Sequence, residues 1–442
     1  MFVHDENMKI FKRAIRTIPG GLFSNFKKQK NSPPVYVKSV DGCRFTDYDG
    51  NIYIDFSLSA GPSILGHSNE NYKLALINQI QQLYTNEYCL VQIEAAEKIV
   101  EHIPAAELVR FTVSGAEAVY NAVRVARGYT GKNMIVKFKG QYNGGMDFIL
   151  GGMVRDQKNP VAEDGIDSND FYTKTTYTDG RAEHALDDCY MIEWNDLDEV
   201  EKLFKAHSNE IACLIMEPIP LNIHGCMPEP GYLEGVRELC TKYDVVLIFD
   251  ETLTGFRIGI NGAQGYFGVT PDLCILAKAV GGGFPVAVFC GKREIMDVIT
   301  DTKVLSVGTY NGHPLGAAAI LSTIHELEKN NFKAYKNINK LGNMLKDGML
   351  SAAKKHGIPM IVQGFPGALY PIFTTKEKII NHRDAIQNTD LKIQTQFLEL
   401  IKEKGILHNA RMCLSAAHTE EDINYTIKQV DEALSILVGN KI

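Results

Sequence analysis

Residues Val245–Pro285 read VVLIFDETLTGFRIGINGAQGYFGVTPDLCILAKAVGGGFP. Two apolar runs, Val245–Phe249 and Leu273–Ala277, are short enough for strands buried on both faces and too short for ordinary helices. Each run ends in a charge, the first at Asp250-Glu251 and the second at Lys278. Ligands of open α/β sheets bind beyond the carboxyl ends of the strands, so an aspartate and a lysine at two strand ends point to one site. A lysine amine facing a carboxylate suits pyridoxal 5′-phosphate, which takes an amine for a Schiff base and a carboxylate for its ring nitrogen. A structural salt bridge between Asp250 and Lys278 is the other reading of the pair taken alone.

Upstream, the alternation of strand and helix continues. IACLIMEPI is a further buried strand ending at Glu217-Pro218, and PEPGYLEGVRELCTKYD is a crossover helix with Leu233, Val236, Leu239 and Cys240 on one face. YMIEWNDLDEVEKLFKAH reads as strand, turn at Asn195-Asp196 and amphipathic helix. In RFTVSGAEAVYNAVRVAR, Ser114 and Glu117 have capping-box spacing at the start of a helix. That helix start has two readings: a plain cap, or a phosphate site where free N–H groups and the positive dipole end meet an anion that Gly115 lets close. The 151–188 stretch is long, polar and without periodicity, and is expected to be loop.

The N-terminus carries Met8, Phe11, Ile15 and Ile18 at helical spacing before Pro19-Gly20-Gly21, and after a polar linker VYVKSVDGCRFTDYDGNIYIDF reads as consecutive hairpin strands. Beyond Lys278 an Ala-rich helix leads to the C-terminal region. From about Asn330 helical segments flank a strand-like MIVQGFPGALYPIFT, the mixture of a small α+β domain.

The chain has 442 residues, a net charge of -7 and no polybasic run, so it lacks the footprint of a nucleic-acid binder. Its first residues contain no continuous apolar segment, which argues against a signal peptide or membrane anchor. Nine cysteines without a CxxC pair argue for thiols in a reducing cytoplasm, and against a disulfide framework or a structural zinc; no metal site is expected.

FDETLTGFR at Phe249–Arg257, GAQGYFGVTPDL at Gly262–Leu273 and LAKAVGGGFP at Leu276–Pro285 resemble the class III aminotransferases. Within them they are most similar to the glutamate-1-semialdehyde 2,1-aminomutase-like group. The resemblance runs from YIDFSLSAGPSILGH at Tyr53 to LSAAHTEEDI at Leu414. It implies a fold type I α/β transferase with a large domain built on a mostly parallel seven-stranded sheet and a smaller α+β domain. The expected division is 1–60 joining the small domain, 61–315 as the large domain and 316–442 as the small one.

The resemblance also assigns roles. Lys278 holds the cofactor and moves protons, and Asp250 keeps the ring nitrogen protonated. Ser114, Gly115 and Ala116 take the phosphate, while Tyr142 stacks on the ring with Asn143 beside it. Glu217, otherwise a solvated strand end, lies over the cofactor and can pair with an arginine that admits carboxylates. Gly308-Thr309 resembles the loop that reaches the phosphate of a neighbouring subunit, implying a homodimer with shared sites. Arg411 stands near where relatives contact substrate, and a guanidinium binds a carboxylate bidentately.

Several positions depart from the pattern. Relatives often carry threonine at Ala116 and histidine at Asn143, and the aminomutases carry tryptophan at Ala60. They also have an arginine where this chain runs Phe26-Lys27-Lys28, and an acidic residue in the Leu407–Met412 loop, which here has none. The function expected first is therefore ping-pong transfer of an amino group between an amine or amino acid and an oxo acid or aldehyde; the aminomutase is the alternative. A Rossmann dehydrogenase lacks its G-x-G-x-x-G at a first strand–helix turn, and a non-catalytic binding protein has no need of Lys278, Asp250 and Tyr142 together.

Overall fold

The computed structural model describes residues 2–25, 34–152 and 179–439. Phe26-Lys27-Lys28 and most of the 151–188 stretch lie outside them. The strands in chain order are β1 Val37–Asp41, β2 Arg44–Asp47, β3 Ile52–Asp55, β4 Leu108–Thr112, β5 Met134–Phe138, β6 Cys189–Ile192 and β7 Ile211–Met216. They continue as β8 Val246–Glu251, β9 Leu273–Leu276, β10 Ala287–Gly291, β11 Met360–Phe365, β12 Ala368–Phe373, β13 Ile406–Leu407 and β14 Met412–Cys413.

Seven strands form the central sheet in the order β4-β10-β9-β8-β7-β5-β6. β10 runs antiparallel to both its neighbours, and the pairs from β9 through β8, β7 and β5 to β6 are parallel. The mostly parallel seven-stranded sheet is thus present, and VAVFCG at 286–291, unremarked in the sequence, supplies its reversed strand.

Side-chain alternation along β8 explains why the run is apolar throughout. Leu247 and Phe249 pack with Val200, Phe204 and Val236 of the helices Leu197–His207 and Tyr232–Lys242. Val246 and Ile248 pack on the other face with Ala118, Ala122 and Val125 of the helix Gly115–Thr130. A strand covered on both faces needs apolar residues at every position, each worth roughly 1.5–3 kcal/mol when fully buried.

The hairpin strands β1, β2 and β3 form as expected, and β13 joins them in parallel with Ile406 opposite Ile54. β11, β12 and β14 form a third sheet. The first helix is Asp5–Ala14, and Met8 and Ile15 of its expected apolar stripe remain exposed. The Ala-rich helix Pro314–Lys355 is interrupted at Lys329–Phe332, where Asn330, Asn331 and Phe332 turn left-handed, near where the sequence places the start of the C-terminal region. Asparagine tolerates that conformation better than most residues.

Arg257 ties these parts together. It is 2% exposed, and its Nη1 donates to the carbonyls of Leu414 (2.9 Å) and Gly367 (3.3 Å), its Nη2 to that of Gly61. Glu251, one residue beyond Asp250 and so on the opposite face of β8, accepts from the backbone N–H of Ala263 (2.5 Å) and Gln264 (3.2 Å) and from Thr254 Oγ1 (2.9 Å). The FDETLTGFR motif is therefore scaffold as much as chemistry. Arg257→Met strips donors from three carbonyls, and a loss of roughly 3 kcal/mol or more is expected because buried acceptors left unpaired are destabilising. Thermal melts of the two proteins check this; equal midpoints would contradict it.

Candidate active site

Ser114, Gly115, Ala116, Tyr142, Asn143, Glu217, Asp250 and Lys278 all line one cavity of ≈ 370 Å³. It lies beyond the carboxyl ends of β5, β7, β8 and β9, where an open α/β sheet places its ligands.

Asp250 shares the parity of Val246 and Ile248 on β8, so it points to the face covered by the helix Gly115–Thr130. It is 3% exposed, and accepts from Asn143 Nδ2 (2.9 Å) on Oδ2 and from the backbone N–H of Thr252 (3.1 Å) on Oδ1. Lys278 follows β9 and opens a short 3₁₀ turn, Lys278–Gly281, with its own φ at 50°. A left-handed lysine is uncommon, and such strain collects at functional sites. Burial, with the positive charge of Arg411 second, lowers the Lys278 amine to about 8.

Ser114 caps the helix Gly115–Thr130 by accepting from the backbone N–H of Glu117 (3.3 Å). The Glu117 carboxylate reaches the N–H of Val113 (3.1 Å), one residue earlier than a standard capping box. A Cβ at Gly115 would stand 3.2 Å from Thr252 Oγ1, so glycine keeps this corner open.

Glu217 is no solvated strand end. It is 3% exposed; its Oε1 accepts from the backbone N–H of Tyr142 (3.1 Å) and from Asn222 Nδ2 (2.8 Å), and its Oε2 from the N–H of Leu221 (3.1 Å). Burial, followed by the charge of Asp250, raises it to about 7. Beneath the loop, Lys137 Nζ donates to the carbonyls of Gln141, Ile149 and Gly151 at 3.0, 3.0 and 2.9 Å. Asn222, Thr252, Gln141 and Lys137 were not singled out in the sequence; as common polar residues with no motif of their own, they carry a role only once the loops are folded together.

Two expected residues do not line the cavity. Arg411 is 6% exposed and lies behind it, donating from Nη1 to Tyr370 Oη (3.0 Å) and from Nη2 to the Ala60 carbonyl (3.1 Å). No direct contact joins it to Glu217; the path runs through Tyr370, whose hydroxyl donates to the carbonyl of Leu221. Ala60 belongs to a left-handed run, Leu58, Ser59 and Ala60 at φ of 46°, 58° and 73°. Thr309 is exposed on a separate loop, its carbonyl accepting from Asn86 Nδ2.

The donor set fits pyridoxal 5′-phosphate. An amine, a buried carboxylate, an aromatic ring and a helix N-terminus with glycine share one cavity, as an aldehyde, a ring nitrogen, a flat ring and a phosphate require. Lys278 and Asp250 would hold its reactive ends, and Ser114–Ala116 its phosphate.

Comparison with known proteins gives a consistent picture. The profile of the family described as aminotransferase class-III matches residues 26–437. A glutamate-1-semialdehyde 2,1-aminomutase of Bacillus pumilus is 35% identical, the alignment covering 98% of this chain and 99% of that one. Among solved structures, an omega-transaminase from Sphaerobacter thermophilus superposes with a TM-score of 0.88 at 28% identity, covering 97% of each chain. A transaminase with PLP bound superposes at 0.87 and 24% identity, covering 100% of this chain and 99% of that one, and shares the fold.

The lowered Lys278 amine has a consequence for stability. Between about pH 8 and its ordinary value of 10.5 the folded chain binds fewer protons at this site than the unfolded chain, so stability rises with pH across that window and the full penalty stands below it. Lys278→Met is therefore expected to melt higher than the cofactor-free wild type at pH 7, by a few kcal/mol at most, with the gain shrinking toward pH 10. Melting curves at the two pH values decide it; a gain independent of pH would contradict it.

Proposed function

Because the chain belongs to the class-III aminotransferase family, whose cofactor is pyridoxal 5′-phosphate, we propose that it moves an amino group within one substrate, as a glutamate-1-semialdehyde 2,1-aminomutase. The 35% identity over nearly the whole of both chains to a relative of that name supports this above the intermolecular transfer expected first from the sequence. The latter stays as a second reading, favoured by Ala60 in place of tryptophan and by the omega-transaminase likeness at 28% identity.

Bound in the cavity, the cofactor supplies an electron sink that acidifies the carbon carrying the amino group. Lys278, whose amine is lowered to about 8 so that a fraction of it is neutral near pH 7, would take the proton from that carbon and return it at another position. Asp250, fixed by Asn143 and the Thr252 N–H, would hold the proton on the ring nitrogen. The first N–H groups of the helix Gly115–Thr130 would bind the phosphate, and Tyr142, which lines the same cavity, would pack against the ring. Glu217, raised to about 7, changes charge near neutral pH at the substrate side of the cavity. Arg411 is assigned to the substrate carboxylate although it does not line the cavity: its Nε is buried without a partner, and to meet a carboxylate its guanidinium would exchange its bonds to Tyr370 and the Ala60 carbonyl.

The second chain is assigned to the loop around Thr309, where Leu305, Val307 and Tyr310 are 65%, 67% and 65% exposed. An apolar cluster of this kind is covered in a dimer, and Thr309 would then serve the neighbouring site. Nine free thiols suit a reducing cytoplasm. No helix among the described residues is long and apolar enough to cross a membrane.

Glutamate 1-semialdehyde given alone to the cofactor-loaded protein is expected to yield 5-aminolevulinate without any added acceptor, and Arg411→Ala to raise KM about tenfold or more with cofactor absorbance retained. An absolute need for an added oxo acid or aldehyde would instead establish the intermolecular reaction, and unchanged kinetics in Arg411→Ala would remove that residue from the substrate site. Val307→Asp is expected to shift sedimentation from dimer to monomer and to weaken cofactor binding; a dimer that persists would place the interface elsewhere.

A further inference from the structure

Asn143 carries an unanswered hydrogen-bonding group at the cavity. It is 1% exposed and its Nδ2 is committed to Asp250 Oδ2 at 2.9 Å, yet its Oδ1 is buried with no partner. The amide cannot turn over, since Oδ1 would then face Asp250 Oδ2, acceptor against acceptor. Nor can the loop readily back away. Gly144 follows at φ +105° with its Cα face against Ala116, where a Cβ would stand 3.1 Å from the Ala116 Cα, and Lys137 fastens the next turn through three carbonyls. A buried acceptor fixed in this way without a donor is destabilising, and at the wall of a ligand cavity the donor can come from the ligand.

We propose that Asn143 reads the protonated ring nitrogen of the cofactor together with Asp250, its Nδ2 orienting the carboxylate and its Oδ1 accepting a hydrogen bond from the same cationic N–H. Being uncharged, the amide leaves the full negative charge of Asp250 to the ring, which a cationic side chain at this position would offset. The inference rests on the assignment of pyridoxal 5′-phosphate to this cavity and gives Asn143, expected from the sequence beside the ring, a specific contact with the ring nitrogen.

The test compares the rise in melting temperature on adding pyridoxal 5′-phosphate, and the cofactor dissociation constant from absorbance titration, in the wild type, Asn143→Ala and Asn143→Asp. Asn143→Ala loses the acceptor, so its cofactor-induced rise shrinks and its Kd weakens about tenfold, the scale of one hydrogen bond to a charged group. Asn143→Asp keeps an acceptor but sets two carboxylates together; its cofactor-free form melts low, and its cofactor-induced rise equals or exceeds that of the wild type because a cation relieves the repulsion. Rises equal to the wild type's in both variants, with lower melting throughout, would show that Asn143 serves only the packing of the protein and overturn the proposal. A wild type that gains neither absorbance nor melting temperature would overturn the cofactor assignment itself, and this control separates the two failures.

Discussion

The parallel pairing of β8 with β9 is the constraint on which the rest depends. It aligns Asp250 with Ile275 and Glu251 with Leu276, so that Lys278, two residues beyond the end of β9, opens into the same cavity as Asp250. A buried aspartate and a partly buried lysine at the wall of one cavity carry a desolvation penalty. The surrounding structure answers that penalty with hydrogen bonds to Asp250 from Asn143 and Thr252. Lys278 is answered differently, by a lowered pKa that favours the neutral amine. The same burial that is unfavourable for folding thus yields a base suited to proton transfer near neutral pH.

A second layer of polar groups holds the first in place. Glu217 is fixed from the loop carrying Tyr142, from Asn222 and from the turn at Leu221, and Gln141 Oε1 accepts from its backbone N–H at 2.7 Å. Arg257 and Arg411 fasten the Ala60–Gly61 turn through its two carbonyls. These arginines are deeply buried, and their hydrogen bonds go to backbone carbonyls and the Tyr370 hydroxyl; they act as multi-donor staples, which suits a planar guanidinium. The geometry at the cavity mouth is accordingly set by residues distant in the chain, one on β8's following loop and one beside β14.

Much of this was legible in the residues. The apolar runs of β7, β8 and β9 announce strands because both faces are covered, and the charges at their ends announce the site. Eight of the ten expected site residues line one cavity because they lie at strand ends or at a helix N-terminus, positions that sequence patterns mark. What the sequence did not show depends on long-range pairing: β13 beside β3, the reversal of β10, and the backing of Lys137 under the Tyr142 loop. Arg411 was legible as a guanidinium near the site but not as a residue already bonded to Ala60 and Tyr370, since those contacts join segments far apart in the chain. Thr309 was legible through resemblance alone, and a single chain leaves it at the surface.

The central claim is that Lys278 and Asp250 meet in the cavity that takes pyridoxal 5′-phosphate. Its most direct test is to load the protein with the cofactor, reduce it with borohydride, digest it and map the modified peptide by mass spectrometry. One reduced cofactor attached at Lys278 is the expected result. A cofactor mass on Lys137 or another lysine, or none at all after full loading, would contradict the account.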